Sequence, residues 1–223
     1  MGQRIIGLTG GIATGKSTVA DYLSQRHGLP ILDTDLYARQ AVEPGSPVLG
    51  AILDRYGKTI QLADGHLNRS KLGEIIFNNA FERAWLEDQI HPQVRRYLSA
   101  AMATLGQADT VVQVIPLLFE AGFTDQVTEI WVVTCTPQQQ CQRLIGRNHL
   151  TVAQAQARID SQMPLATKVA RANVVLDNSG DPSDLRIQID QALQQRRQRV
   201  LTGGVSPLVV GMINAMVGLA LVL

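Results

Sequence analysis

Hydrophobic positions fall in short continuous runs, separated by longer stretches with helical spacing. Residues 4–9 (RIIGLT) form an apolar run that ends in glycines, the pattern of a strand buried on both faces of a parallel sheet. A helix is expected from about 16 to 26, where Val19, Ala20, Tyr22 and Leu23 make an apolar stripe. Further strands are expected at 30–32, 110–115, 129–134 and 173–176, and Pro137 marks the start of a helix after the fourth of these five. Helical patterns fill most of 35–105, punctuated by Pro44, Gly45, Pro47, Gly57, Asp64 and Gly65. A polar, amphipathic helix from about 182 to 199 completes the pattern. Strands alternating with helices predict an α/β fold, a doubly wound parallel sheet. The long helical insertion after the second strand is where a unit that binds an acceptor would sit.

A chain of 223 residues has room for one domain with a small inserted subdomain, and 45% hydrophobic with 17% charged residues is a globular composition. A formal net charge of +1 argues against a broad nucleic-acid-binding surface and toward small-molecule partners. Cys135 and Cys141 make no disulfide framework and fit a reducing cytoplasm as plain structural residues. His27, His66, His91 and His149 lack the spacing of a metal cage, and the first residues lack the features of a signal peptide.

The chemistry concentrates between the first strand and the first helix. Residues 10–17 (GGIATGKS) fit G-x-x-x-x-G-K-[ST] in the strand–turn–helix context that the motif requires. Backbone N–H groups of Gly11, Ala13, Thr14, Gly15, Lys16, Ser17 and Thr18 are then expected to surround the phosphates of ATP at a helix N-terminus. Lys16 should reach the β- and γ-phosphates, and the Ser17 hydroxyl should ligate Mg²⁺.

Asp33 and Asp35 stand at the carboxyl end of the second strand, where ligands collect in open α/β sheets. One carboxylate could take the proton of an attacking hydroxyl and the other hold Mg²⁺ through water; the alternative is an N-cap pair for the next helix. Arg143 and Arg147, four apart on one helix, share a face that either closes over the triphosphate or faces solvent. Glu120 follows the third strand, either orienting substrate or a metal-bound water, or capping a helix. The DNSG stretch at 177–180 has the form D-x-x-G, but it lies too far downstream for a GTP-driven switch, and no N-K-x-D segment reads guanine.

These residues resemble the bacterial dephospho-CoA kinases. The likeness runs from about residue 4 to 199, through LTGGI with GKST, DTD with Ala38 and Arg39, VEPG, ADG with Leu67, Ile76 and Phe77, His91 and Pro92, and PLLFE. It continues through Arg143, Leu144, Arg147, Arg158, Ile159, Gln162, Pro164, Lys168, Asp177, Asn178 and Gly180. The resemblance implies phosphoryl transfer from ATP to the 3′-hydroxyl of dephospho-CoA, with Asp33 as the base, Lys16, Arg143 and Arg147 as catalytic cations, and Asp33, Asp35, His91 and Glu120 on the acceptor side. It also implies a P-loop core at about 1–35, 108–136 and 172–200, a helical CoA-binding insertion at about 36–107 and a lid at about 137–171. Ala13 and Thr14 replace the usual Gly and Ser, Thr34 an Ala, and Asn148 and Asn173 stand where Asp is frequent. A nucleoside or nucleotide kinase shares the loop and lid, and remains the alternative; a nucleotide-dependent switch protein is a third reading.

Beyond the resemblance lies an apolar tail, 203–223, with no charge from 205 onward. As a helix the uncharged part would span about 28 Å, close to a hydrocarbon core of about 30 Å. Arg196, Arg197 and Arg199 precede it as in a segment whose domain stays in the cytoplasm, and Gly211 and Ala215 form a small-xxx-small pair. Pro207, Asn214 and several glycines weaken it, so a docked tail or an oligomer contact competes with a membrane anchor.

Overall fold

Five strands, β1 (Arg4–Gly10), β2 (Ile31–Asp33), β3 (Thr110–Val114), β4 (Glu129–Thr134) and β5 (Val174–Asp177), pair in parallel in the order β2-β3-β1-β4-β5. This computed structural model describes residues 2–77 and 79–202. Each strand lies within a residue of its expected place. The last starts one residue late, at Val174, and Asn173 before it bonds twice to Ile130, its N–H donating to Ile130 O at 2.9 Å and its Oδ1 accepting the Ile130 N–H at 2.7 Å.

The helices are α1 (Lys16–His27), α2 (Thr34–Gln40), α3 (Pro47–Tyr56), α4 (Arg69–Phe77), α5 (Ala80–Thr104), α6 (Pro137–Asn148), α7 (Val152–Asp160), α8 (Leu165–Ala170) and α9 (Pro182–Thr202). Local sequence sets their starts. Ser46 caps α3 by accepting from Leu49 N, and Thr136 and Gln139 form a reciprocal capping box on α6 with Pro137 in its first turn.

One sheet face carries Ile6, Leu8, Val112, Val114, Trp131 and Val133 against Val19 and Leu23 of α1 and Leu185 and Ile189 of α9. The other carries Leu32, Val111, Ile115 and Val132 against Val94 and Leu98 of α5. Alternate strand residues thus feed opposite cores, and each strand needs an unbroken apolar run. A third cluster, Val48, Leu49, Ile52, Leu72 and Leu86, lies away from the sheet among α3, α4 and the first half of α5. The 25-residue α5 therefore serves two cores, with Pro92 between Leu86 and Val94. Arg55 and Tyr56 of α3 both grip Glu82 of α5, and the Arg55 guanidinium stacks 4.5 Å from the Trp85 ring centroid.

Between α3 and α4 the expected helical pattern gives way to a 3₁₀ turn (Lys58–Ile60) and an isolated antiparallel bridge, Gln61 to Leu67, around Asp64 and Gly65. Among the described residues no helix is long and apolar enough to cross a membrane; the tail at 203–223 lies outside them.

Candidate active site

The phosphate loop begins where β1 ends in mid-sheet, between β3 and β4. The sheet register aligns Leu8 with Val114, and Val114 with Asp33, so the carboxyl ends of β1, β3 and β2 open on one crevice. Gly15 caps α1 with φ 105°, and a Cβ there would collide with the side-chain amide of Asn178. That amide donates to the Thr14 carbonyl at 2.8 Å, and the Thr14 hydroxyl, fully buried, donates to Gly11 O at 3.0 Å. Ala13 takes φ 59° without being glycine, a conformation that costs a side chain roughly 1 kcal/mol. No side chain caps α1, so the N–H groups of its first turn remain available to an anion, helped by the helix dipole. Ser17 and Thr18 are exposed on that turn.

Lys16 folds back over the loop, donating to Gly11 O at 2.8 Å and Gly10 O at 3.4 Å. Burial, and next the charge of Lys168, lower its pKa to about 8; Asp35 and Asp33 oppose this, while Arg147 adds to it. These five groups share one electrostatic neighbourhood. Asp33 ends β2 and caps α2, its Oδ1 accepting from Asp35 N at 2.8 Å, while Thr34 between them donates to Val114 O at 3.1 Å. Asp33 is thus the helix cap of the second expectation, with Asp35 in the first turn, and the charges of both carboxylates act on Lys16. Asp35 is exposed by area but sits in the concave crevice. Partial desolvation, then the Asp33 charge, raise its carboxyl above the usual range.

Arg143 and Arg147 share α6 but not a task. Arg143 sits at the base of the loop, donating to Asn178 O at 2.9 Å and to Thr14 O at 3.5 Å. Arg147 is exposed, its charge acts on Lys16, and its Nε donates to Asn148 Oδ1 at 2.9 Å. An asparagine at 148 thus supplies the acceptor without a charge. Rather than capping a helix, Glu120 pairs with the fully buried Lys168 at 2.8 Å and accepts Met163 N at 3.1 Å. His91 belongs to a different neighbourhood, on α5 edge-on to Phe123 with centroids 6.1 Å apart, and burial holds its pKa below the usual range.

Four polar residues join the site: Gln162, Lys168 and Asn178, which the family likeness includes without a role, and Gln140, which it does not include. Their partners lie far along the chain, as in Asn178 to Thr14, Gln140 to Ile12 O at 2.9 Å and Gln162 to Ile12 N at 2.8 Å. No local pattern could reveal these contacts.

The oxygen donors fit a hard cation. Among the described residues no three His, Cys, Asp or Glu side chains converge on one point. A magnesium ion beside Ser17 would therefore draw most of its ligands from phosphate oxygens and water, as Mg²⁺ in nucleotide sites does.

Comparison with known proteins agrees with this geometry. The CoaE family model, described as Dephospho-CoA kinase, matches residues 4–184. A dephospho-CoA kinase of Synechocystis sp. is 66% identical over 194 residues, 87% of this chain and 96% of that protein. Among solved structures, TT1252 from Thermus thermophilus superposes with a TM-score of 0.76 at 33% identity, covering 87% of this chain and 98% of that one. The dephospho-CoA kinase from Campylobacter jejuni gives 0.66 at 25% identity, over 88% and 98%. The chain belongs to the dephospho-CoA kinase family, the phosphotransferases that complete coenzyme A synthesis.

Proposed function

We propose that the chain passes the γ-phosphoryl group of ATP to the 3′-hydroxyl of dephospho-CoA, with Lys16, Arg143, Arg147 and Asp33 as the working groups. The observation that carries this reading is the strand register that brings the phosphate loop after β1 and Asp33 at the end of β2 to one edge of the sheet, where the charges of Asp33, Asp35 and Arg147 act on Lys16. Loop N–H groups and the Lys16 ammonium would hold the triphosphate, and Arg147 would follow the charge that develops on the transferred group. Arg143 would keep the loop's base in shape through the Thr14 and Asn178 carbonyls. Asp33 accepts the proton of the 3′-hydroxyl as its oxygen bonds to the γ-phosphorus; the bond to the bridging oxygen breaks and ADP leaves. Asp35 and Ser17 are the chain's donors toward Mg²⁺, which when bound neutralises phosphate charge.

The separate core of α3, α4 and the start of α5 supports assigning about 36–107 to CoA binding, and α6 to α8 to a lid over about 137–171. The acceptor-side roles implied for Glu120 and His91 rest on the family resemblance, since Glu120 is paired with Lys168 and His91 packs on Phe123. The catalytic domain is assigned to the cytoplasm. On hydropathy alone we assign the tail at 203–223 to membrane contact. Truncation after Thr202 should leave both KM values unchanged and remove the protein from the membrane fraction; a full-length protein absent from that fraction contradicts the tether.

Asp33→Asn tests the base assignment cleanly, because asparagine caps a helix as well as aspartate does and the start of α2 is kept. The expected result is a fall in kcat of roughly 10²-fold or more, with the KM for ATP within a few-fold. A larger loss in Asp35→Asn than in Asp33→Asn would move the base to Asp35.

A further inference from the structure

Both backbone groups of Ile12, at the tip of the phosphate loop, are held by glutamines from outside the loop. Gln162 Oε1 accepts its N–H at 2.8 Å, and Gln140 Nε2 donates to its carbonyl at 2.9 Å. The fit is tight. A Cβ on Gly11 would lie 2.6 Å from that same Gln140 nitrogen.

Gln162 is itself fixed from the opposite side of the crevice. The next residue, Met163, donates its N–H to Glu120, and Glu120 pairs with Lys168 at the far end of the same short segment. Lys168 also donates to Pro116 O at 3.3 Å, and this carbonyl accepts the hydroxyl of Thr9 at 3.2 Å, at the end of β1. The contacts close a ring: Thr9, Pro116, Lys168, Glu120, Met163, Gln162 and back to Ile12, three residues from its start. The ring spans the phosphate loop, the turn after β3, the segment between α7 and α8, and α8 itself. Lys168 and Thr9 are fully buried in it. A lysine with no exposed surface is costly unless its ammonium is paired and hydrogen-bonded, and here the pairing also sets where Gln162 stands.

We propose that Gln162 is a positioning residue for ATP: it fixes the tip of the phosphate loop through the Ile12 N–H, and the Lys168–Glu120 pair holds it in register. The proposal rests on the reading of this loop as the ATP site. It makes the 162–168 segment a strap that sets loop shape before the nucleotide arrives, so the loss of one neutral hydrogen bond should appear in ATP affinity. The Gln162 side chain bonds to the loop backbone at Ile12 and not to Asp33 or Asp35.

The test is steady-state kinetics on the full chain with Gln162→Met, Lys168→Met and the double variant, varying ATP and dephospho-CoA separately. Gln162 is only partly buried, so its variant should fold, and a thermal melt checks each protein. Gln162→Met should raise the KM for ATP by roughly 3- to 10-fold, the range of one hydrogen bond, with kcat at saturating ATP and the KM for dephospho-CoA within about two-fold. In the Lys168→Met background the same change should add little, because the strap that presents Gln162 is already loose. A KM for ATP unchanged by Gln162→Met in a folded, active enzyme overturns the proposal. So does full additivity of the two substitutions. A drop in melting temperature with both KM values unchanged reduces Gln162 to a structural contact and overturns it as well. An inactive wild type in the same assay would instead refute the functional reading of the loop.

Discussion

A lysine ammonium with a pKa near 8 makes the enzyme's pH dependence specific. In the free protein, burial and the neighbouring Lys168 push Lys16 down to about 8, and its neutral form cannot hold a γ-phosphate by charge. The value of kcat/KM for ATP reports the free enzyme, so it should be level below about pH 8 and fall up to tenfold per unit above. Bound triphosphate favours the charged form, which should move the corresponding break in kcat to higher pH. A pH profile of kcat/KM level to about pH 10 would contradict this picture of the site. The phosphate loop was legible in the sequence because its motif is local: glycines, Lys16 and Ser17 fall within eight consecutive positions, even though distant residues brace it. Asp33 was legible as a strand-end carboxylate, though its role as helix cap and its place near Lys16 could not be told apart until both were seen together. Lys168 and Gln162 stood in the family likeness but without a role, because their partners lie far along the chain and only the fold brings Lys168 to Pro116 and Glu120, and Gln162 to Ile12.

At the scale of elements, the strands could be read almost to the residue, since a sheet packed on both faces requires continuous apolar runs and tolerates little else. The insertion was harder. Its helical pattern concealed the 3₁₀ turn and bridge at 58–67, where Gly57 and Gly65 reverse the chain, and it could not show that one long helix would serve two cores. That division suggests a perturbation confined to the acceptor side. Ile52 is fully buried in the cluster of α3 and α4 and touches neither sheet face. Ile52→Ala should destabilise by about 2–5 kcal/mol. At a temperature where the variant remains folded, it should raise the KM for dephospho-CoA while leaving the KM for ATP within about two-fold. A rise in the ATP KM alone would mean that the insertion supports the nucleotide site instead. Glu82 gives the same cluster a pH dependence. Its hydrogen bonds from Arg55, then Tyr56, depress its carboxyl to about 2, so this link between α3 and α5 is present above the ordinary carboxylate range and is lost as pH falls toward 2. The stability difference between wild type and Glu82→Gln should therefore shrink across that window, as followed by urea midpoints.

For the molecule as a whole, the account places donor and acceptor on opposite walls of one crevice. On the proposed function, the phosphate loop between β1 and α1 would hold the donor, Asp33 and the helical insertion would hold the acceptor, and α6 to α8 would form the lid. Catalysis in such a site is mainly positioning and charge neutralisation, so under this proposal acceptor identity would depend on what the insertion holds near Asp33. The most direct measurement is ADP release with ATP and Mg²⁺ against a panel of dephospho-CoA, nucleosides and nucleoside monophosphates, with the phosphorylated product identified by mass spectrometry. The account predicts one coenzyme A formed per ADP released with dephospho-CoA, and only the acceptor-free background with the others. ADP release driven by a nucleoside or its monophosphate, with dephospho-CoA left at background, would contradict it.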